Sequence, residues 1–247
     1  MPESRLVVVT GAGGIVGTLL SEAFIAVGDR VAGVGRDATR LAALAARLGA
    51  AFEPVVGDLS LPGAGGELAG RLAPQGPAVV VHAARDSSLL GLGAEGVTRD
   101  QWLANFALEV VAPYELVTAL ASASGARLRS VVLVGSMYGV VAPTPALYDD
   151  FARESAPHYG TGKAALAHLA KELAVRLAPA VRVNTVSYGG VRGRADAAFE
   201  ERYARLTPLG RMLDERDVAG PALFLASDAA SGITGHNLVV DGGWSLS

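Results

Sequence analysis

Residues 5–17 read RLVVVTGAGGIVG, an apolar run that passes directly into a glycine-rich turn. The β-branched run 5–9 predicts a buried parallel strand, and the apolar stretch 15–27 predicts the helix that follows it. Glycines at a strand-to-helix turn let the backbone approach a pyrophosphate, while the helix N-terminus supplies free N–H groups and a positive dipole end. The pattern and its position favour a dinucleotide-binding turn over an ordinary glycine-rich loop.

The rest of the chain continues this alternation of strand-like and helix-like segments. Further strands are predicted at 30–34, 51–56, 78–82, 130–135, 181–187 and 237–240. Helices are predicted at 37–48 with Asp37 as N-cap, at 98–123 with a kink at Pro113, at 158–177 and at 214–227. Segments 63–66 and 87–96 are predicted to be flexible loops. Repeated βα units predict an α/β protein: one Rossmann-type domain, residues 1–247, with a doubly wound parallel sheet and helices on both faces.

Composition limits the class of protein. The chain has 247 residues, 51% of them hydrophobic, which is enough for one large core. A net charge of −3 argues against a nucleic-acid surface, and the absence of cysteine excludes disulfides and fits the reducing cytosol. The start lacks a signal-peptide pattern, and no apolar run approaches the ~20 residues that span a bilayer. Without metal-ligand spacing among the histidines, we expect a cytoplasmic protein with no metal, membrane or nucleic-acid partner; the histidines are His82, His158, His168 and His236.

Tyr159 and Lys163 are four residues apart, so they lie on one face of a helix, one turn from each other. The ammonium of Lys163 favours the charged form of the Tyr159 phenol, a group that otherwise exchanges protons poorly at neutral pH. The hydroxyl of Ser136 can hold a carbonyl oxygen beside that phenol. These side chains suit the movement of a proton on and off an oxygen while a hydride moves elsewhere. The Tyr-x-x-x-Lys pattern is weak alone and becomes specific only with the upstream nucleotide site.

With these motifs in place, nearly the whole chain resembles the short-chain dehydrogenase/reductase family. The resemblance is carried by 10–17, Asp58, Asn105, Ser136, Tyr159, Lys163, Asn184 and the tail motifs 233–235 and 240–243. It implies a catalytic tetrad of Asn105, Ser136, Tyr159 and Lys163, in which Asn105 holds a water in a proton relay. It also implies a nicotinamide cofactor bound by Thr10, Gly11, Gly13, Gly14, Ile15, Val16, Gly17, Arg36, Asp58, Leu59, Ala83, Ala84, Tyr159, Lys163, Gly189 and Val191.

The sequence departs from the family pattern at three places. Ile15 takes the place of the middle glycine of the turn, and His82 replaces an asparagine that braces the sheet. Tyr188 stands where the family has a proline against the nicotinamide, so it can alter how the ring is held.

The spacing from Ser136 to Tyr159 is about ten residues longer than is usual in the family. The additional segment, 142–157, is either a surface loop that tolerates insertion or a wall of the substrate pocket. It contains Tyr148, at the usual distance from Ser136. Ala152, four residues further on, carries no charge that would favour ionisation, so Tyr159 is the predicted catalytic tyrosine.

The end of the second strand bears on the choice of cofactor. An acidic residue there binds the ribose hydroxyls of NAD and repels a 2′-phosphate. This chain has Gly35 at that position and Arg36 next, and a guanidinium suits a phosphate dianion. Asp37 offsets this charge, so NADP(H) is favoured and NAD(H) is possible.

The predicted function is the NAD(P)(H)-dependent interconversion of a secondary alcohol and a ketone in a polar, sugar-like or natural-product small molecule. The chain is most similar to a branch of the family associated with sugar metabolism, in legionaminic-acid and polysaccharide pathways. One alternative is a 3-ketoacyl or polyketide-type reductase, for which Arg192 and Arg194 are candidate docking cations. The other is a non-catalytic dinucleotide sensor, which the intact set of catalytic residues disfavours.

The C-terminal segments 218–225 and 233–240 are too apolar for an edge exposed to water. In proteins that this chain resembles, such segments pack against another subunit, and the two long helices form a second contact. A homotetramer is therefore expected, with a dimer as the smaller alternative.

Overall fold

The computed structural model describes residues 4–92, 96–193 and 195–246. They contain a seven-stranded sheet in the order β3-β2-β1-β4-β5-β6-β7, and every neighbouring pair is parallel. The strands are β1 Leu6–Thr10, β2 Arg30–Gly35, β3 Phe52–Val56, β4 Val79–His82, β5 Ser130–Ser136, β6 Arg182–Tyr188 and β7 Asn237–Val240. The predicted doubly wound parallel sheet is confirmed. That residues 1–247 form one domain stays a prediction.

Helices cover both faces of the sheet. They are α1 Ile15–Ala26, α2 Ala38–Leu48, α3 Ala64–Leu72, α4 Arg99–Phe106, α5 Ala112–Ser122, α6 Phe151–Glu154, α7 Pro157–Leu177, α8 Ala197–Leu206 and α9 Glu215–Ala226. Helices α3, α5 and α7 pack on one face through Leu68, Leu116 and Leu166. Helices α1, α2 and α9 pack on the other, through Phe24, Leu41 and Leu225. The buried valines of the strands fill both layers, as expected for a parallel sheet covered on both sides.

The long predicted helix 98–123 is interrupted close to Pro113. Thr98 begins α4 with a capping box, and a π-helical turn, Ala107–Val111, separates α4 from α5. Within this turn the Ala112 amide bonds the Ala107 carbonyl, five residues back. Pro113 has no amide hydrogen for the carbonyl four residues before it, which favours a break in the regular ladder here. The turn rotates the chain, and one acidic side chain, Glu109, is buried.

The stretch Arg99–Ser122 is long and apolar enough to cross a bilayer by length and composition alone. An 18-residue window within it has a mean hydropathy of 1.3. In this fold it is a core helix, because Leu108, Leu116 and Val117 pack in the hydrophobic layer between the sheet and α3. The expectation that no uninterrupted apolar run approaches bilayer length holds, because Glu109 and Glu115 both lie within this stretch.

Three helices were missed by the sequence prediction: α3, α6 and α8. Segment 63–66 was expected to be a flexible loop, but α3 begins at Ala64 and includes Gly65. An added Cβ on Gly65 would lie 2.6 Å from the Ala112 carbonyl oxygen, so glycine permits the close crossing of α3 and α5. Helix α8, with Asp196 as its N-cap, was not predicted at all. In the other predicted loop, Ser87–Leu90 forms a 3₁₀ helix, and residues 93–95 lie outside the described residues.

The crossing of α3 and α5 can be tested with two adjacent glycines. Gly65→Ala should lower the free energy of unfolding by about 1–3 kcal/mol, because the methyl group meets backbone atoms of α5. Gly66→Ala is the matched control: among the described residues no atom of another element lies within 4 Å of its added Cβ, and alanine favours a helix, so a gain of ~0.5–1 kcal/mol is expected. Denaturant unfolding measures both. Equal stabilisation by the two substitutions would contradict the crossing.

Candidate active site

The carboxyl ends of the central strands open into a cavity of about 570 Å³. The glycine-rich turn after β1 lines one end of it, and Ser136, Tyr159 and Lys163 line another part. Ser136 is the last residue of β5, and the other two lie in the first turns of α7. The fold therefore brings a nucleotide-binding type of turn and three of the predicted catalytic residues into one cavity.

The glycine-rich turn fits a dinucleotide pyrophosphate. Gly11 has φ +69°, and a Cβ there would lie 2.6 Å from the Ala83 carbonyl oxygen, so only glycine fits between β1 and β4. Helix α1 starts after Gly14 with no side-chain cap, and its first residues border the cavity. Uncapped amides at a helix N-terminus are a ready site for an anion. The lining residues from the predicted cofactor set are Gly11, Gly13, Gly14, Ile15, Val16, Gly17, Arg36, Ala83, Tyr159, Lys163, Gly189 and Val191.

Thr10 and His82 brace the sheet beneath this turn. The Thr10 hydroxyl accepts hydrogen bonds from the amides of Ala83 and Ala84, at 3.2 and 3.3 Å, and lies 2.9 Å from Nδ1 of His82. With two amides already directed at its oxygen, the Thr10 hydroxyl is placed to donate its own proton to Nδ1 of His82. His82 thus takes over the bracing that the sequence analysis assigned to an asparagine. Thr10 itself is fully buried, and its contact with a cofactor stays a prediction.

Lys163 is the buried centre of the catalytic part of the cavity. Its side chain is 4% exposed; Nζ donates to the Val134 carbonyl at 2.8 Å and lies 2.7 Å from Oε2 of Glu109. The Nζ atom is 6.0 Å from the centre of the Tyr159 ring. Ser136 accepts a hydrogen bond from the Tyr138 amide at 3.2 Å, which leaves its own proton free for another acceptor. The arrangement places a cation behind the phenol and a hydroxyl in the same cavity.

Asn105 lies close to α7, and its side-chain hydrogen bond is to the backbone of that helix. Its Nδ2 donates to the His158 carbonyl at 3.0 Å, and a Cβ on Gly162 would lie 2.5 Å from the same nitrogen. Asn105 therefore ties α4 to the start of α7, and its role in catalysis stays a prediction. The acidic residue that meets Lys163, Glu109, was missed from the sequence. The available signal was a single carboxylate inside an otherwise apolar run, 107–112.

The far end of the cavity carries two arginines. Arg36 bonds Asp86 at 2.6 Å, and this hydrogen bond lowers the pKa of Asp86 to about 2. Arg40, which the sequence analysis missed, pairs with Asp37 at 3.2 Å and has its Cβ 3.5 Å from the Cβ position of Gly13. Gly13, Arg36, Asp37 and Arg40 border the cavity, whereas Asp86 is not one of its lining residues. This end of the site therefore holds two cations beside the glycine-rich turn, and each of them is paired with a carboxylate.

Four residues of the predicted cofactor set are absent from the cavity lining within the described chain: Thr10, Asp58, Leu59 and Ala84. The Asp58 carboxylate accepts hydrogen bonds from the amide and hydroxyl of Ser60, at 2.9 and 2.7 Å. These bonds lower the pKa of Asp58. The side chain caps the turn after β3, and its contact with a cofactor stays a prediction.

The inserted segment 142–157 supplies part of the cavity wall. Tyr148 borders the cavity, and its hydroxyl donates to the hydroxyl of Tyr138 at 2.7 Å. The Tyr148 ring packs against Phe151 and Phe199, with ring centres 5.7 and 6.2 Å away. Burial raises the pKa of Tyr148 and of Tyr138, so both hydroxyls keep their protons. The position of Tyr148 agrees with the interpretation of this segment as a wall of the substrate pocket.

The chain that follows β6 also lines the cavity. The Tyr188 hydroxyl donates to the Val218 carbonyl at 2.5 Å, so it is turned into the core towards α9. A Cβ on Gly189 would lie 2.6 Å from the Tyr203 hydroxyl oxygen, which leaves room for glycine only. Of the two candidate docking cations, Arg192 pairs with Glu200 at 3.5 Å, and Arg194 lies outside the described residues.

Comparison with known proteins gives a consistent family. A family model described as enoyl-(acyl carrier protein) reductase matches residues 11–245. The chain is 32% identical over 249 residues to galactitol 2-dehydrogenase (L-tagatose-forming) of Cereibacter sphaeroides, covering 96% of this chain and 94% of that protein. Some other curated relatives match over less than half of their length, among them post-translational flagellin modification protein A of Campylobacter coli, at 36% identity over 46% of that protein and 47% of this chain.

Solved structures share the fold over nearly the full length. A short chain dehydrogenase from Leptospira borgpetersenii with bound NAD+ is 26% identical, with a TM-score of 0.83 over 98% of this chain and 93% of that one. The RhlG/NADP active-site complex of Pseudomonas aeruginosa is also 26% identical, with a TM-score of 0.84 over 98% and 96%. Both nicotinamide dinucleotides thus occur among structures similar to this one.

The burial of His82 makes a prediction about pH. Burial, reinforced by the positive charge of Lys163, lowers the pKa of His82 to about 3. The unfolded chain takes up a proton here below pH ~6.5 and the folded chain does not, so folding stability falls as the pH drops. Between pH 7 and pH 5 this group should remove about 2 kcal/mol of unfolding free energy. His82→Asn should lose that part of the pH dependence, and His168→Asn, at an exposed site, should retain it. Identical pH dependence in both variants, measured by denaturant unfolding, would contradict the assignment.

Proposed function

The chain belongs to the short-chain dehydrogenase/reductase family, and we propose that it interconverts a secondary alcohol and a ketone of a sugar-like small molecule with NAD(P)(H). One observation carries the proposal: Ser136, Tyr159 and Lys163 share a cavity with an uncapped, glycine-rich helix N-terminus. The cofactor, when bound, supplies hydride transfer to or from the reacting carbon.

The chain's own side chains handle the oxygen and its proton. Ser136 donates a hydrogen bond to the substrate oxygen, and Tyr159 gives that oxygen a proton in reduction or takes it in oxidation. The ammonium of Lys163, 6.0 Å from the Tyr159 ring centre, favours the phenolate that forms when the proton leaves. Because these groups are held before substrate arrives, little reorganisation is needed during the reaction.

A polar substrate fits the lining of the cavity. The hydroxyls of Tyr138 and Tyr148 border it, and the Arg85 guanidinium lies 5.7 Å from the centre of the Tyr159 ring. Among the described residues no salt bridge neutralises Arg85. Aromatic faces combined with hydroxyl and guanidinium donors suit a polyhydroxylated compound. The similarity to a galactitol dehydrogenase points to the same substrate class.

A 3-ketoacyl or polyketide-type reductase is the second candidate, favoured by the description of the matching family model. A carrier-bound substrate needs exposed cations beside the cavity for docking. Arg192, one of the two residues proposed for this, is paired with Glu200, which lowers its value as a docking cation. Cofactor absorbance assays with polyols, ketoses and acyl thioesters separate the two candidates, and turnover of none of them would favour a non-catalytic sensor.

We propose NADP(H) as the preferred cofactor. Arg36 and Arg40 lie at the end of the cavity beyond the glycine-rich turn, where a 2′-phosphate needs a positive partner. Asp37 and Asp86 oppose them, which supports residual use of NAD(H).

We also propose a cytoplasmic homotetramer. Leu103, Val111 and Tyr114 on the α4–α5 segment are 57%, 48% and 48% exposed, and β7 is a half-exposed edge strand. Two such apolar surfaces favour two different two-fold contacts. Sedimentation at micromolar concentration should give four chains, and a mass of one chain would contradict the assembly.

Tyr159→Phe should lower kcat/KM at least ~100-fold, because the variant keeps the ring and loses only the proton-exchanging hydroxyl. Cofactor affinity, measured by fluorescence titration, should stay close to that of the wild type. Tyr148→Phe is the matched control, since its hydroxyl donates to Tyr138 at 2.7 Å and no cation lies four residues further along the chain. Retention of more than about a tenth of the wild-type kcat/KM, a loss of less than ~1.4 kcal/mol, would contradict the role of Tyr159.

Arg36→Ala should weaken NADPH binding by ~10–100-fold and NADH binding much less, because a charge-assisted phosphate contact is lost. Asp86→Asn should do the reverse and tighten NADPH, since it releases Arg36 from its present partner. Dissociation constants for both cofactors measure the two effects. A wild-type preference for NADH, or equal effects of Arg36→Ala on the two cofactors, would overturn the assignment.

A further inference from the structure

One buried ionic contact has no part in the chemistry described above. Oε2 of Glu109 lies 2.7 Å from Nζ of Lys163, and the two side chains are 1% and 4% exposed. Glu109 belongs to the π-helical turn Ala107–Val111, whereas Lys163 belongs to α7. The contact therefore joins two separate helices directly behind the catalytic tyrosine.

A buried carboxylate needs a compensating partner, because removing a charge from water costs several kcal/mol. Within the described chain, neither oxygen of the Glu109 carboxylate has a partner with hydrogen-bonding geometry, so the Lys163 ammonium supplies the compensation. Lys163 in turn has one neutral partner, the Val134 carbonyl at 2.8 Å. Each charge is thus the main stabilising partner of the other.

We propose that Glu109 is a positioning residue for the reaction: its carboxylate is the buried counter-charge that holds the protonated Lys163 side chain beside Tyr159. The proposal rests on the proposed function for its catalytic consequence. Its structural part, the mutual stabilisation of the two charges, is independent of any activity.

The other groups around this pair are few. His82 faces Lys163 from β4 and stays neutral near pH 7, since burial and the Lys163 charge lower its pKa to about 3. The Tyr159 ring centre lies 6.0 Å from Nζ of Lys163 and 5.7 Å from the guanidinium of Arg85. Asn105 and the Val134 carbonyl are the uncharged neighbours. Between neutral and alkaline pH, a substitution of Glu109 should therefore affect the site chiefly through Lys163 and Tyr159.

The first experiment is a thermal-melting cycle that needs no assay of turnover. Glu109→Gln and Lys163→Met should each lower the melting temperature clearly, because each leaves the other charge buried without its partner. The double variant should melt above at least one of the single variants, since no lone charge remains. A double variant whose loss equals the sum of the single losses would overturn the ionic contact.

The second experiment is the pH profile of kcat/KM for alcohol oxidation. Without its counter-charge the Lys163 ammonium is no longer held beside Tyr159, so the phenolate loses the cation that stabilises it. Glu109→Gln should therefore move the midpoint of the profile to higher pH by about one unit. Glu115→Gln, the same change six residues later on the continuing helix, is the control and should leave the midpoint in place. An unchanged midpoint in Glu109→Gln, or a shift to lower pH, would overturn the positioning role.

A comparison of Glu109→Asp with Glu109→Gln separates charge from packing. If the charge matters, Asp should retain more kcat/KM than the isosteric Gln; if only packing matters, the order reverses and the proposal is wrong. Should the wild type turn over no alcohol or ketone with either cofactor, the proposed function fails, and the melting cycle still decides whether Glu109 and Lys163 stabilise each other.

Discussion

A buried ammonium group joins the sheet, the interrupted helix and the catalytic helix of this protein. Lys163 donates to the Val134 carbonyl of β5 and contacts Glu109 of the π-helical turn, while its own helix carries Tyr159 one turn earlier. An ammonium at this depth is stable only while its partners are in place. The relative position of β5, α7 and the π-helical turn is therefore coupled to the position of one cation, and the orientation of Tyr159 follows from it.

Glycines make that arrangement possible by allowing backbones to approach. A Cβ on Gly139 would lie 2.8 Å from the Lys163 carbonyl carbon, and one on Gly160 would lie 2.8 Å from the Tyr138 carbonyl oxygen. The chain after β5 thus rests directly on the first turns of α7, with Ser136 and Tyr159 on either side of the contact. The same device operates at Gly11, between β1 and β4. Close backbone contact at both ends of the cavity leaves little freedom for the groups that line it.

The sequence predicted the parts of this site that depend on local spacing. Tyr159 and Lys163 are on one helix face because of their separation along the chain, and the glycine-rich turn adjoins its strand and helix directly. Glu109 could not be placed in this way, since its inward direction depends on a π-helical turn and its partner is 54 residues away. Helix α3 was missed for a similar reason: its glycines disfavour a helix locally, and the crossing with α5 is visible only in the folded chain.

The departures from the family pattern are compensated by hydrogen bonds within this chain. His82, in place of an asparagine, reaches the Thr10 hydroxyl at 2.9 Å and so links β4 to β1. Tyr188, in place of a proline, directs its hydroxyl to the Val218 carbonyl and so links β6 to α9. Both side chains are larger than those they replace, and each directs one polar atom to the framework rather than to the cavity: Nδ1 of His82 and the hydroxyl of Tyr188. Because the imidazole is neutral and the phenol is bonded to the core, neither adds a charge that competes with Lys163 for Tyr159. The protein can therefore differ from its relatives around the site while the electrostatic relation between these two residues is kept.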